Sequence, residues 1–138
     1  MKKLAVVLMV ALIVMTAVFA SGSNEATSTG AKATKIGFVV INDESDQGYT
    51  WNFTNGMNAA IEKLKAEGYN VELQTKRHTT ESSIAKDNNM ELAEEGCAII
   101  FNNSYGFEPY MLEAAKEYPN TIFVGMTNCG GQVDTNPN

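Results

Sequence analysis

The stretch Lys35-Ile36-Gly37-Phe38-Val39-Val40-Ile41 is an apolar run of strand length. It breaks into the polar turn Asn42-Asp43-Glu44-Ser45-Asp46-Gln47-Gly48, after which Tyr49-Thr50-Trp51-Asn52-Phe53 opens a segment of helical period. A strand that is apolar at successive positions expects cover on both faces, and a helix that follows it at once supplies the first of those covers. Within the helical segment Phe53, Met57, Ala60, Ile61 and Leu64 fall on one face, which predicts a helix over 50–67 closed by Gly68 in a left-handed conformation. Working outward, Val71 to Gln74, Ala98 to Phe101 and Thr121 to Val124 read as further strands, the third and fourth as apolar as the first. A second helix is expected over 80–95, capped by Thr80 with Glu81 in its first turn and stopped at Gly96. A third follows Glu108-Pro109, presents Met111, Leu112, Ala115 and Tyr118, and ends at Pro119. The order is βαβαβαβ: an α/β fold with a parallel sheet and flanking helices.

Upstream of this unit the composition changes. Met1-Lys2-Lys3, the apolar run Leu4 to Phe19 and the small residues of Val18-Phe19-Ala20 have the form of a secretory signal peptide over 1–20, with an uncleaved anchor as the other reading. Residues 21–34 are small and polar, a flexible linker with too little apolar surface to order itself. The chain carries 10 basic and 16 acidic residues, a net charge of −6. Without Lys2 and Lys3 eight bases face sixteen acids, a net −8, and that sign argues against binding nucleic acid or an anionic membrane surface. Cys97 and Cys129 form no CxxC motif; Cys97, ahead of an apolar run, reads as a small core residue, and their pairing is left open.

In an open parallel sheet, ligands bind beyond the carboxyl ends of the strands. The first such loop brings Asp46, Gln47, Tyr49 and Trp51; the third brings Asn103, Ser104, Tyr105, Gly106 and Phe107; the fourth leads into Met126-Thr127-Asn128-Cys129-Gly130-Gly131. Flat aromatic faces beside amides, hydroxyls and a carboxylate suit a neutral, planar, hydrogen-bonding ligand, whereas phosphate would want a glycine-rich nest or a basic clamp. Each residue also has a structural reading. Asp46 could cap the helix, Tyr49 and Trp51 could staple it to the sheet, and Tyr105 and Phe107 could close their loop by packing. Asp43 and Glu44 read as a solvated acidic edge. The single histidine, His78, stands beside Lys76 and Arg77 without a second His or a Cys nearby, so no metal site is expected. No GxSxG, GxxxxGK[ST] or HExxH motif is present, and the expectation is a protein that is not an enzyme and uses no cofactor.

Three segments taken together resemble the basic membrane protein family, the PnrA-like purine-nucleoside-binding components of ABC transporters. They are Lys35 to Val40 with Ser45-Asp46-Gln47-Gly48-Tyr49; Ile99 to Phe107; and Ala114-Ala115-Lys116-Glu117-Tyr118-Pro119-Asn120-Thr121-Ile122-Phe123. The resemblance implies a type I periplasmic binding protein fold, two α/β lobes with the ligand in the cleft, and a membrane permease as partner. It implies that Asp46 binds the nucleoside and Tyr49 stacks on the base, with Asn103 to Phe107 as the aromatic-glycine loop at the cleft. Tyr49 stands where the family usually has Phe, and Gly48 where it usually has a small hydroxyl residue. Ser21 stands where the family's lipoprotein cysteine would be. Residues 35–138 then correspond to part of an amino-terminal lobe, with the second lobe absent. The expected function is that of an exported substrate-binding component of an ABC importer, located in the periplasm or at the outer face of the plasma membrane. The alternative is a periplasmic sensor or receptor-interaction module of the same fold.

Overall fold

A computed structural model of the chain describes residues 32–127. The expected signal peptide, most of the linker, and the segment from Asn128 that includes Cys129 lie outside the described residues. Among the described residues four strands, β1 (Thr34–Val39), β2 (Val71–Lys76), β3 (Cys97–Asn102) and β4 (Ile122–Gly125), alternate with three helices, α1 (Tyr49–Ala66), α2 (Ser83–Glu94) and α3 (Glu108–Glu117). All strand pairs are parallel and the order is β2-β1-β3-β4. The α/β architecture is therefore the one expected, with element limits moved by a few residues.

β1 is the strand on which the layers are built. Phe38 and Val40 point to one face and pack with Met57 of α1, with Phe53, Leu73, Phe101 and Met126 around them. Val39 points to the other face, in a cluster with Ala85 and Leu92 of α2, Ile100 of β3 and Phe107. The helix that follows β1 thus covers one face, and the helix that follows β2 covers the other. Gly37 lets the second layer approach, because a Cβ there would lie 2.9 Å from Ile100 Cγ1 and 3.1 Å from Leu92 Cδ1.

A polar pair is buried among these contacts. Asn89 of α2 and Asn102 of β3 are both fully buried and exchange two amide hydrogen bonds, 2.8 and 2.9 Å, so that each side chain gives and receives one bond from the other.

Four expectations need correction. Among the described residues β4 is an edge, paired on one side only, and Ile122 is half exposed rather than covered on both faces. The inner face of α1 is Thr50, Thr54, Met57 and Ile61, while Ala60 is exposed. The cap of α2 is Ser82, whose hydroxyl accepts from Ile84 N–H at 3.3 Å; Thr80 and Glu81 lie ahead of the helix. Ala114 joins Met111 and Ala115 on the buried side of α3. The stop at Gly68 is as expected: φ is 92°, Tyr69 N–H donates to Leu64 O and Gly68 N–H to Lys65 O, both at 3.0 Å, in the pairing of a Schellman motif.

Two glycines should respond in opposite directions. Gly37→Ala should lower the free energy of unfolding by about 1–3 kcal/mol through overpacking. Gly56→Ala, in the interior of α1 with open space where its Cβ would lie, should raise it by about 0.5–1 kcal/mol. Urea titrations of the two variants check both signs.

Candidate ligand-binding site

The sheet reverses its winding between β1 and β3, which are neighbours although β2 intervenes in the chain. Their carboxyl-terminal loops lead to helices on opposite faces, the arrangement at which an open α/β sheet usually places a ligand. The ladder extends into the mouth between these loops. Asn103 N–H donates to Val39 O, Val40 N–H to Lys76 O and Met126 N–H to Asn102 O, at 2.9–3.0 Å.

On the β1 side, residues Glu44–Asp46 form a single 3-10 turn that ends in Gln47, left-handed at φ 46° and exposed. Asp46 is committed to the start of α1. One carboxylate oxygen accepts from Gly48 N–H (3.0 Å) and Trp51 N–H (3.1 Å), and the other from Thr50 N–H (2.8 Å). Those donors, Gly48 foremost, hold its pKa down to about 2, against a smaller opposing effect of desolvation. Gly48 occupies the N-cap position itself, and Asp46, two residues ahead of it, supplies the carboxylate that accepts from the first turn.

Tyr49 extends from the first turn of α1 toward β3. Its hydroxyl donates to the carbonyl of Asn103, its ring meets Phe53 edge-on at 4.9 Å, and the residue is 45% exposed. Trp51 is equally open at 44% and Tyr105 more so at 60%. Between these loops Asn103 is fully buried. Its Oδ1 accepts from Ile41 N–H at 3.0 Å, which fixes the amide's orientation, and its carbonyl also accepts from Thr127 Oγ1 at 3.2 Å. Its Nδ2 has no hydrogen-bond partner. Among the described residues the only other buried side-chain polar atoms in that condition are the hydroxyls of Thr50 and Thr54 on α1.

Phe107 is a correction to the expected set. Its side chain is fully buried in the cluster with Val39, Leu92 and Ile100, so it supports the loop from beneath instead of lining the mouth. Ser104 and Gly106 remain at the surface of the loop, and both bond to Glu81, a residue that sequence reasoning placed inside a helix.

The acidic edge beyond β1 is tied to the loop after β2. Glu44 receives Arg77 through Nη2 at 2.7 Å and Nε at 3.1 Å, and Asp43 Oδ2 lies 3.1 Å from His78 Nε2. His78 is itself left-handed at φ 53°. The pKa values of Asp43 and Glu44 are lowered, the first chiefly by Ser45 and the second by Arg77. These exposed pairs steer loop geometry more than they stabilise the fold. Two grooves lie beside α1: one of about 470 Å³ between α1 and β2, bounded by Ile61, Lys65 and Leu73, and a smaller one of about 230 Å³ along Phe53, Met57 and Met126. Among the described residues no group of three His, Cys, Asp or Glu side chains could hold a metal ion, and no helix is long and apolar enough to cross a membrane. Cys97 is buried, with its thiol 3.2 Å from Gln74 Oε1 and its pKa raised by desolvation.

The chain is similar in fold to an ABC transporter system solute-binding protein from Conexibacter woesei DSM 14684, with a TM-score of 0.52 and 20% sequence identity. The match covers 66% of this chain and 28% of that one, so the chain spans well under half the length of the protein it matches. No family model and no curated protein matches the chain.

The Asp46 carboxylate carries a pH signature. A carboxyl whose pKa is depressed on folding stabilises the fold fully above the ordinary carboxylate range, and that contribution is lost as the pH falls toward its folded value of about 2. Asp46→Asn should therefore be less stable than the wild type at about pH 5, with the difference shrinking toward about pH 2. Urea midpoints across that range test this, and parallel profiles would count against the assignment.

Proposed function

We propose that residues 35–127 form part of the amino-terminal lobe of an exported substrate-binding protein, which binds a small planar solute such as a purine nucleoside and delivers it to an ABC permease. The observation that carries this reading is the mouth between β1 and β3. There Tyr49, Trp51 and Tyr105 are exposed, and the Tyr49 hydroxyl donates to the carbonyl of Asn103, whose Nδ2 is a buried donor without an acceptor. A buried donor left unpaired costs free energy, and an acceptor on a ligand, a carbonyl oxygen or ring nitrogen, would recover it once a shift of the neighbouring side chains opened the amide to that ligand. Aromatic faces favour a flat ligand, each stacked ring adding about 0.5–1.5 kcal/mol beyond the area it buries. The Asp46 carboxylate is exposed and would offer an acceptor to a ligand hydroxyl or amino group. Gln47, exposed on the same turn, and Ser104 and Gly106 on the facing loop complete the proposed contact set.

Fold similarity to a solute-binding protein supports the reading, as does the resemblance carried by the three sequence segments. In a two-lobed binder of that kind the second lobe closes over the ligand and excludes water from it, so a single lobe contributes stacking and orientation with only part of the affinity.

Trp51 is the only tryptophan in the chain, which gives the mouth its own reporter. Titrating inosine, guanosine and adenine to millimolar concentration should shift the Trp51 indole N–H and the amides of residues 103–106 in heteronuclear NMR spectra. Tyr49→Ala should weaken the response about tenfold, corresponding to about 1.4 kcal/mol. Shifts confined to the groove between α1 and β2, or none with any planar solute, would overturn the proposal.

A further inference from the structure

We propose that Glu81 is a positioning residue of the mouth, which sets the conformation of the Ser104–Gly106 loop and thereby the placement of Tyr105. The inference rests on the reading of that mouth as a ligand site.

The loop after β2 does not stay beside its own strand. Thr79 N–H donates to Val40 O at 3.0 Å, so by Thr79 the chain has reached the carboxyl end of β1, and Glu81 continues to the loop after β3. Its Oε1 accepts two hydrogen bonds there, one from the Ser104 hydroxyl and one from Gly106 N–H at 3.2 Å. Those donors flank Tyr105 on either side in the chain, so one carboxylate oxygen ties down both of its neighbours while the ring stays open to solvent. Ser82 caps α2, which starts later than expected and leaves the Glu81 side chain available for the loop.

Gly106 is the matching half of this arrangement. A Cβ at that position would run into Glu81 Cδ and lie 2.5 and 2.7 Å from its two oxygens. Its φ is not in the left-handed region, so the requirement for glycine there is one of space. The carboxylate occupies the place that any other residue's side chain would take. Two hydrogen bonds between exposed loops add little to global stability, so their effect is local and geometric.

The experiment uses the full chain and three substitutions at one position, read by urea midpoint, by amide exchange at Gly106 and by inosine-induced NMR shifts. Glu81→Ala should leave the midpoint nearly unchanged, accelerate exchange at Gly106 about tenfold or more, and weaken the inosine response about tenfold. Glu81→Gln retains an oxygen that can accept from Ser104 and Gly106 and should restore both readouts. Glu81→Asp, one methylene shorter, should behave like the alanine variant. Gly106→Ala, which must expel the carboxylate, should reproduce Glu81→Ala. Unchanged exchange at Gly106 in Glu81→Ala would overturn the proposal. So would faster exchange with an unaltered inosine response, or a fall in midpoint that accounts for the faster exchange. If the wild type shows no response to inosine or another planar solute while Gly106 exchange follows the expected series, the positioning role stands and the proposed function falls.

Discussion

The need to bury β1 on both faces organises the rest of the molecule. Phe38 and Val40 require cover on one side and Val39 on the other, and each must receive a helix. The chain meets this by passing α1 along one face to β2, then crossing the opposite face of β1 with α2 to reach β3. A strand with partners on both edges and helices on both faces leaves its carboxyl end as the place where connecting loops part. The mouth is thus a product of how the central strand is covered.

Hydrogen-bond satisfaction then shapes the mouth. Asp46 accepts from three backbone donors that begin α1, Asn103 accepts from Ile41, and Glu81 accepts from Gly106. In each case a side chain completes backbone groups that the sheet or a helix leaves unpaired. Much of the polar capacity at the mouth is consequently spent within the protein. What stays exposed is the aromatic surface of Tyr49, Trp51 and Tyr105 and the Asp46 carboxylate.

The strands and helices were legible because apolar runs and 3.6-residue periodicity report burial directly, and the βα order leaves few topologies open. The turn at Gly68 was legible because a left-handed end excludes most other residues. The misplacements share a cause: local patterns are compatible with two nearby outcomes, and distant contacts choose between them. Thr80 and Ser82 are both acceptable caps, and the engagement of Glu81 with the loop after β3 goes with the later start. The glutamate itself offers no cue, since a carboxylate at that point of the chain suits a first helical turn as well as a bridge to another loop. Phe107 and Tyr105 are both aromatic loop residues, yet one is buried in the core and the other exposed, a distinction that depends on where α2 packs. Asn102 and Asn103 are adjacent and identical in chemistry. The strand's alternation sends them to different partners, Asn89 and Ile41.

The position of β1 also bears on how the chain acquires its structure. It precedes the other described strands in the chain, yet Ile36 is in register with Leu73 on one side and Ile99 on the other. Neither partnership is local, and non-local parallel pairing forms slowly because the intervening chain must be ordered before the contacts reward it. During synthesis the central strand would wait for β2, and longer for β3, with its edges unpaired. A chain with this topology therefore spends its early life with that strand exposed to association, and depends on being kept apart from other copies until β3 has emerged.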